Sequence, residues 1–182
     1  MKKILLILGV TSILLSCDKL KELASTNFGL NGDAIIVKVP PSGGSSTISF
    51  ESTTETIDFD AKIKENNAEL AAKFIKSVTI NSMDLEIISP MKALPNNFKN
   101  IKSYTFTVHS DVKPDKITIK SPADFAPNET KINLPVNTTL DIKDYVKEKT
   151  KFTYIFTGVI ENPTTDTLEV KIKANYQIKV GL

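Results

Sequence analysis

Apolar and polar residues alternate with a period of two along most of this chain. The longest such run is at the C-terminus. There Leu168, Val170, Ile172, Ala174, Tyr176, Ile178 and Val180 interleave with Glu169, Lys171, Lys173, Asn175, Gln177 and Lys179. A shorter row, Phe152, Tyr154, Phe156, Gly158 and Ile160, precedes it, and Asn162-Pro163-Thr164-Thr165-Asp166 marks a turn between the two. Side chains project alternately to opposite faces of a strand, so each run predicts a strand with one buried and one wet face. Together they read as a terminal antiparallel hairpin, its last strand long enough to bend and enter two sheets.

Upstream, Ala34–Val39 and Thr47–Phe50 flank Pro40-Pro41-Ser42-Gly43-Gly44-Ser45-Ser46, a strand, turn, strand pattern. Ile57, Phe59, Ala61 and Ile63 alternate with Asp58, Asp60, Lys62 and Lys64 and predict another half-buried strand. Asn66-Asn67-Ala68-Glu69 has the form of a helix start, with Asn66 as cap and Leu70, Ala71 and Phe74 on one face of the helix that follows. From Val78 and Ile80 the apolar phase shifts by one to Met83, Leu85 and Ile87, which predicts a bulge or bend. Tyr104, Phe106 and Val108 form the next inward row, followed by Ile117 and Ile119, then Ile132, Leu134 and Val136. Pro135 places that last run at a sheet edge, because proline has no amide hydrogen for a ladder. Many short strands with a single short helix predict an all-β fold. It would be an antiparallel β-sandwich, immunoglobulin-like or a related Greek key, with a barrel as the second choice.

The first residues differ in kind. Met1-Lys2-Lys3 leads into the apolar run Ile4–Leu15, the shape of an export signal. A helix of that length spans about 18 Å, short of a bilayer core of about 30 Å. Leu14-Leu15-Ser16-Cys17 then resembles the bacterial lipoprotein signal, in which a peptidase cleaves before a cysteine that has received a diacylglycerol. That resemblance implies a thioether lipid on Cys17 and an added N-terminal acyl chain, with each buried CH₂ contributing about 0.8 kcal/mol of anchoring. The plainer alternative is an incidental cysteine behind an ordinary secretory signal. Cys17 is the one cysteine of the chain and stands where the lipid signal needs it, which favours lipidation. The chain accordingly divides into a signal (1–16), a lipidated cysteine with a flexible tether (17–32) and one sandwich domain (33–182).

Composition narrows the chemistry further. The 182 residues carry 23 basic side chains, all lysine, against 21 acidic ones. Loss of residues 1–16 removes Lys2 and Lys3, so the mature chain has no positive surplus to attract nucleic acid. One cysteine and one histidine, His109, exclude an intramolecular disulfide and a histidine–thiolate metal centre. His109 neighbours Ser110, so on a continuing strand the two side chains point apart. Asp58 and Asp60 are formal calcium donors, but the glycine-bearing loop of a calcium site is missing, and a solvated face balanced by Lys62 and Lys64 is the simpler reading. Glu51, Glu55, Glu86 and Glu161 are formal candidates for a hydrolytic carboxylate pair. Tryptophan is absent, and Phe98, Phe125 and Tyr145 are the aromatic residues least clearly assigned to an inward row; they read as loop or end-cap core residues. No metal, cofactor or catalytic group is expected.

The layout resembles small secreted lipoproteins common in Bacteroidetes, in which a lipid signal and a short tether precede an immunoglobulin-like or related β-sandwich. The resemblance runs through Ile75–Ile80 and Leu85–Ile87, Asn97–Tyr104, Leu140–Tyr145 and the closing Phe152–Val180. It implies the cell envelope, at the outer membrane and facing the periplasm or the cell surface, and it carries no catalytic signature. Asp166-Thr167-Leu168 also fits the Asp-Ser/Thr-apolar pattern of O-glycosylation in such bacteria, which makes Thr167 a candidate acceptor. The expected function is a lipid-anchored, non-enzymatic interaction or structural module, its partners the membrane through the lipid and an envelope protein or glycan. The alternatives are a carbohydrate-binding accessory lipoprotein of an outer-membrane glycan uptake system and a small hydrolase using paired carboxylates.

Overall fold

The computed structural model describes residues 25–54, 56–66, 70–89, 93–134 and 140–181. The two long amphipathic rows at the C-terminus become central strands, β10 (Phe152–Ile160) and β11 (Leu168–Val180), with every inward residue of both rows buried. Each organises one antiparallel sheet. In the first, β1 (Thr26–Asn31) and β2 (Ile35–Val39) both pair with one edge of β11, β5 (Ile75–Ser89) takes its other edge, and β8 (Lys131–Leu134) closes the sheet. In the second the order is β3 (Thr47–Thr53), β10, β6 (Ile101–Ser110), β7 (Ile117–Lys120). A short ladder joins β4 (Ile57–Asp58) to β9 (Lys149–Thr150).

This is an all-β antiparallel sandwich. Its connections follow the related Greek-key branch of the expectation, not the immunoglobulin path. With β1 and β2 counted as one interrupted edge strand, the chain crosses between the sheets at almost every link, and among the described residues only β6 and β7 are sequence neighbours paired in one sheet. That is the jelly-roll path.

The terminal hairpin is therefore corrected. β10 and β11 do not pair; residues 161–167 carry the chain across to the opposite sheet, and the two strands face each other through the core. Both rows needed a buried face, and alternation alone does not say whether two such strands lie side by side or face to face. Nor does β11 enter two sheets. Its length serves two short partners laid end to end, β1 against Asn175–Val180 and β2 against Leu168–Ile172.

Three local readings also change. Thr26–Asn31, assigned to the tether, is strand β1, with Leu30 in the core. Ile57–Lys64, assigned to a strand, is strand only at Ile57–Asp58 and then forms helix α1 (Phe59–Asn66). Phe59 and Ile63 are four apart, a spacing that suits both periods. Ala61 between them is exposed, which only the helix explains. Asp58 caps this helix by accepting the Ala61 amide hydrogen at 2.8 Å, and Lys64 pairs with Asp60 one turn away. Asn66 ends the helix instead of starting one; its amide group donates to the Lys62 carbonyl. Residues 67–69 lie outside the described residues, and Ala72–Phe74 is a single 3₁₀ turn.

The phase shift in β5 is a bulge as expected: Asn175 faces Ser82 and Tyr176 faces Ile80, leaving Asn81 unpaired. Leu134 ends β8 at the sheet edge ahead of Pro135, which with Val136 lies outside the described residues. The core holds a ring cluster contributed by both sheets. Phe152 stacks on Tyr176 at 5.6 Å, Phe106 on Tyr154 at 5.8 Å, and Phe156 lies between Phe50 and Tyr104. Helix α1 closes one end by setting Phe59 edge-on against Phe152 and Tyr176.

Candidate functional site

Cys17 and the whole signal lie outside the described residues. Thr167 is exposed and directly precedes β11. The two residues before it are held by one side chain, Asn96. Its amide nitrogen donates to Thr165 Oγ1 at 2.8 Å and Asp166 Oδ2 at 2.7 Å, and its oxygen accepts the Thr165 and Asp166 amide hydrogens. Asn100, 1% exposed, fixes the start of the same link. It donates to the Pro95 and Asn162 carbonyls and accepts from the Asn162 amide. Ser42 and Thr164 exchange a reciprocal pair of backbone-to-hydroxyl bonds. A loop that crosses between sheets has no ladder partner, and these three contacts satisfy its backbone instead.

The other candidates are dispersed. His109 lies half-buried on the outer face of β6, while Ser110 turns inward and accepts the Val112 and Lys113 amide hydrogens. Glu51 and Glu86 occupy the outer faces of opposite sheets, separated by the sandwich, and Glu161 pairs with Lys102. Glu55 is outside the described residues. Glu86 sits between Lys171 and Lys131, and the hydrogen bond from Lys171 holds its carboxyl below the usual glutamate range. Asp60 is likewise lowered, first by Lys64 and then by the Ala72 amide. The oxygens of Asp58 and Asp60 thus serve the helix and the turn beside it. Phe98 is fully buried, Phe125 packs edge-on against Tyr104 at 5.0 Å, and Tyr145 lies under Lys113.

A feature not foreseen lies on the flank of the sandwich. Between β1 and β2 the chain leaves β11 for three residues, Gly32, Asp33 and Ala34. Gly32 stays close, its amide donating to the Ala174 carbonyl at 2.9 Å; a Cβ on it would stand 2.7 Å from that oxygen, so no larger residue fits. The break opens a cavity of about 480 Å³ between the sheets, walled by Ile36, Thr53, Thr54 and Ile57, with Tyr154 and Tyr176 within. The two phenol oxygens, one from each sheet, are 2.7 Å apart. Burial pushes Tyr154 up to about 12 and raises Tyr176 well above the ordinary tyrosine range. The alternating pattern places both rings inward, but nothing local in sequence says that they meet across the core or that the strand beside them breaks.

No family model and no curated protein matches the chain. Among solved structures, it is similar to one of desmodium yellow mottle tymovirus, at 8% identity and a TM-score of 0.27, over 86% of this chain and 90% of that one. It is also similar to one from work on the promiscuous specificity of carbohydrate-binding modules of the β-sandwich superfamily. That match has 11% identity and a TM-score of 0.31, over 83% of this chain and 54% of the other.

Proposed function

We propose that this is a lipid-anchored cell-envelope protein whose β-sandwich acts as a non-enzymatic interaction or structural module, at the outer membrane and facing the periplasm or the cell surface. The observation that carries this reading is Leu14-Leu15-Ser16-Cys17 at the end of a short apolar run that opens with two lysines. The spacing to the domain supports it: β1 begins at Thr26, so the intervening chain reaches at most about 30 Å from a lipidated Cys17. Such a domain stays close to the membrane surface. Its outer faces also differ in chemistry. The first sheet shows lysines and carboxylates, including the Lys171–Glu86–Lys131 cluster, whereas the second shows hydroxyls such as Thr105, Thr107, Thr153 and Thr157. Partner recognition through either face would be by polar contacts.

The glycan-binding alternative required an exposed aromatic pair. Every Phe and Tyr of the chain is among the described residues; nine are buried and Phe28, Phe74, Phe125 and Tyr145 are half-buried, so no fully exposed ring offers a stacking platform for sugars. Anchoring is tested by expressing the full chain and its Cys17→Ala variant with an alkyne-tagged fatty acid. The native chain should take up label and sediment with membranes, and the variant should lose both. A variant that stays labelled or membrane-bound overturns the proposal.

A further inference from the structure

The flank cavity lies apart from the anchor, and its chemistry is specific. Two phenol hydroxyls carry two protons. One is used in the 2.7 Å bond between Tyr154 and Tyr176; the other has no acceptor among the described residues. Both side chains are almost fully buried, and both line the cavity. An unmet donor in a desolvated site is unfavourable, and the cavity is where an acceptor would satisfy it. At about 480 Å³ the space is of the size that small molecules occupy, about 300–1,000 Å³. Its walls combine aliphatic Ile35, Ile36, Ile57 and Ala174 with the polar residues Thr53 and Thr54. Among the described residues no lysine lines it, and Asp33 stands at the broken strand, so an anionic ligand would be buried there without a counter-charge.

We infer that the cavity beside the β1–β2 break is a binding site for a small, neutral, partly apolar molecule that directs a carbonyl-type oxygen to the Tyr154–Tyr176 hydroxyl pair. The break supplies the entrance. Ile36, 58% exposed at the rim, supplies an apolar lip for an entering ligand. Ala174 supplies the room, because its neighbours in the inward row of β11, Ile172 and Tyr176, are both large.

The test uses acetophenone and its carbonyl-free analogue ethylbenzene as probes, with binding to the folded domain followed by saturation-transfer NMR and by tyrosine emission, which no tryptophan obscures. Acetophenone should bind about tenfold more tightly than ethylbenzene. In the double variant Tyr154→Phe/Tyr176→Phe that preference should vanish, while ethylbenzene binds as before. Ile36→Glu, at an exposed position that leaves the core intact, should weaken both probes. The inference is overturned if neither probe binds at millimolar concentration, if the native protein shows no preference, or if the double variant keeps the preference. It is likewise overturned if Ile36→Glu leaves both affinities unchanged. Should the double variant not fold, Ala174→Leu, which fills the cavity, must abolish binding of both probes; retained binding is equally decisive against the site.

Discussion

Replacing Asn100 by alanine would strip the loop between β10 and β11 of the support at its start. The side chain makes three hydrogen bonds, to the Pro95 carbonyl, the Asn162 carbonyl and the Asn162 amide, and the residue is 1% exposed, so water cannot enter to replace them. A buried group that loses its partner costs about 1–3 kcal/mol, less where the loop relaxes toward solvent. With three groups affected and partial relaxation, the expected loss is about 3–5 kcal/mol. For a domain of this size each kcal/mol lowers the melting temperature by about 2–4 °C, so the midpoint should fall by about 6–20 °C. Chemical denaturation with unchanged slope gives the free energy directly. Asn100→Asp sharpens the test, because it keeps an acceptor for the Asn162 amide but turns the donor into an oxygen facing two carbonyls. That variant should be at least as unstable at neutral pH and should recover part of the loss on acidification, as the carboxyl regains a proton to donate. An alanine variant within about 1 kcal/mol of the native chain would refute the view that these bonds hold the crossing.

Gly158→Ala should destabilise by about 1–3 kcal/mol in the same denaturation assay, because its Cβ would lie 2.9 Å from the Phe156 ring, which is fully buried and has no room to yield. Tyr104→Phe should be neutral or stabilising by the same measure. Its hydroxyl is buried without a hydrogen-bond partner among the described residues, and burial raises its pKa to about 12, so the oxygen contributes only a desolvation penalty. The domain should lose stability as pH rises from about 10 to 12. Buried Tyr104, Tyr154 and Tyr176 keep their protons when folded, whereas an unfolded chain releases them near the ordinary tyrosine value of 10.0, so the unfolded state binds fewer protons there. Tyrosinate absorbance at 295 nm should accordingly rise together with loss of the β signal in circular dichroism. Free titration of Tyr104, Tyr154 and Tyr176 in a still-folded protein would contradict this.

The alternating rows announced both sheets because burial on one face is a local demand, visible within each strand. The β5 bulge and the edge position of β8 were legible for the same reason: a phase slip at Asn81 and a proline after Leu134 act where they stand. Pairing is not local. β10 and β11 satisfy the same pattern whether adjacent or opposed, and only the sum of all strands decides. The strand–helix error at Phe59–Ile63 came from two residues whose spacing fits both periods; the deciding contact, Asp58 to Ala61, is a hydrogen bond that alternation does not encode. The flank cavity escaped notice because it arises from three residues that fail to pair, between two segments that do.

If the proposed anchor holds the domain by its N-terminus, the position of β1 has a mechanical meaning. A load entering before Thr26 meets an edge strand with six ladder positions on β11, from Val180 to Asn175. Beyond it the break at Gly32–Ala34 separates that ladder from the next, where β2 grips β11 independently. Tension would therefore peel β1 first and pause at the break, lengthening the leash by a few nanometres while β2 and the second sheet keep their pairing. An edge strand in two pieces would act as a force-limiting link, extending before the domain itself gives way.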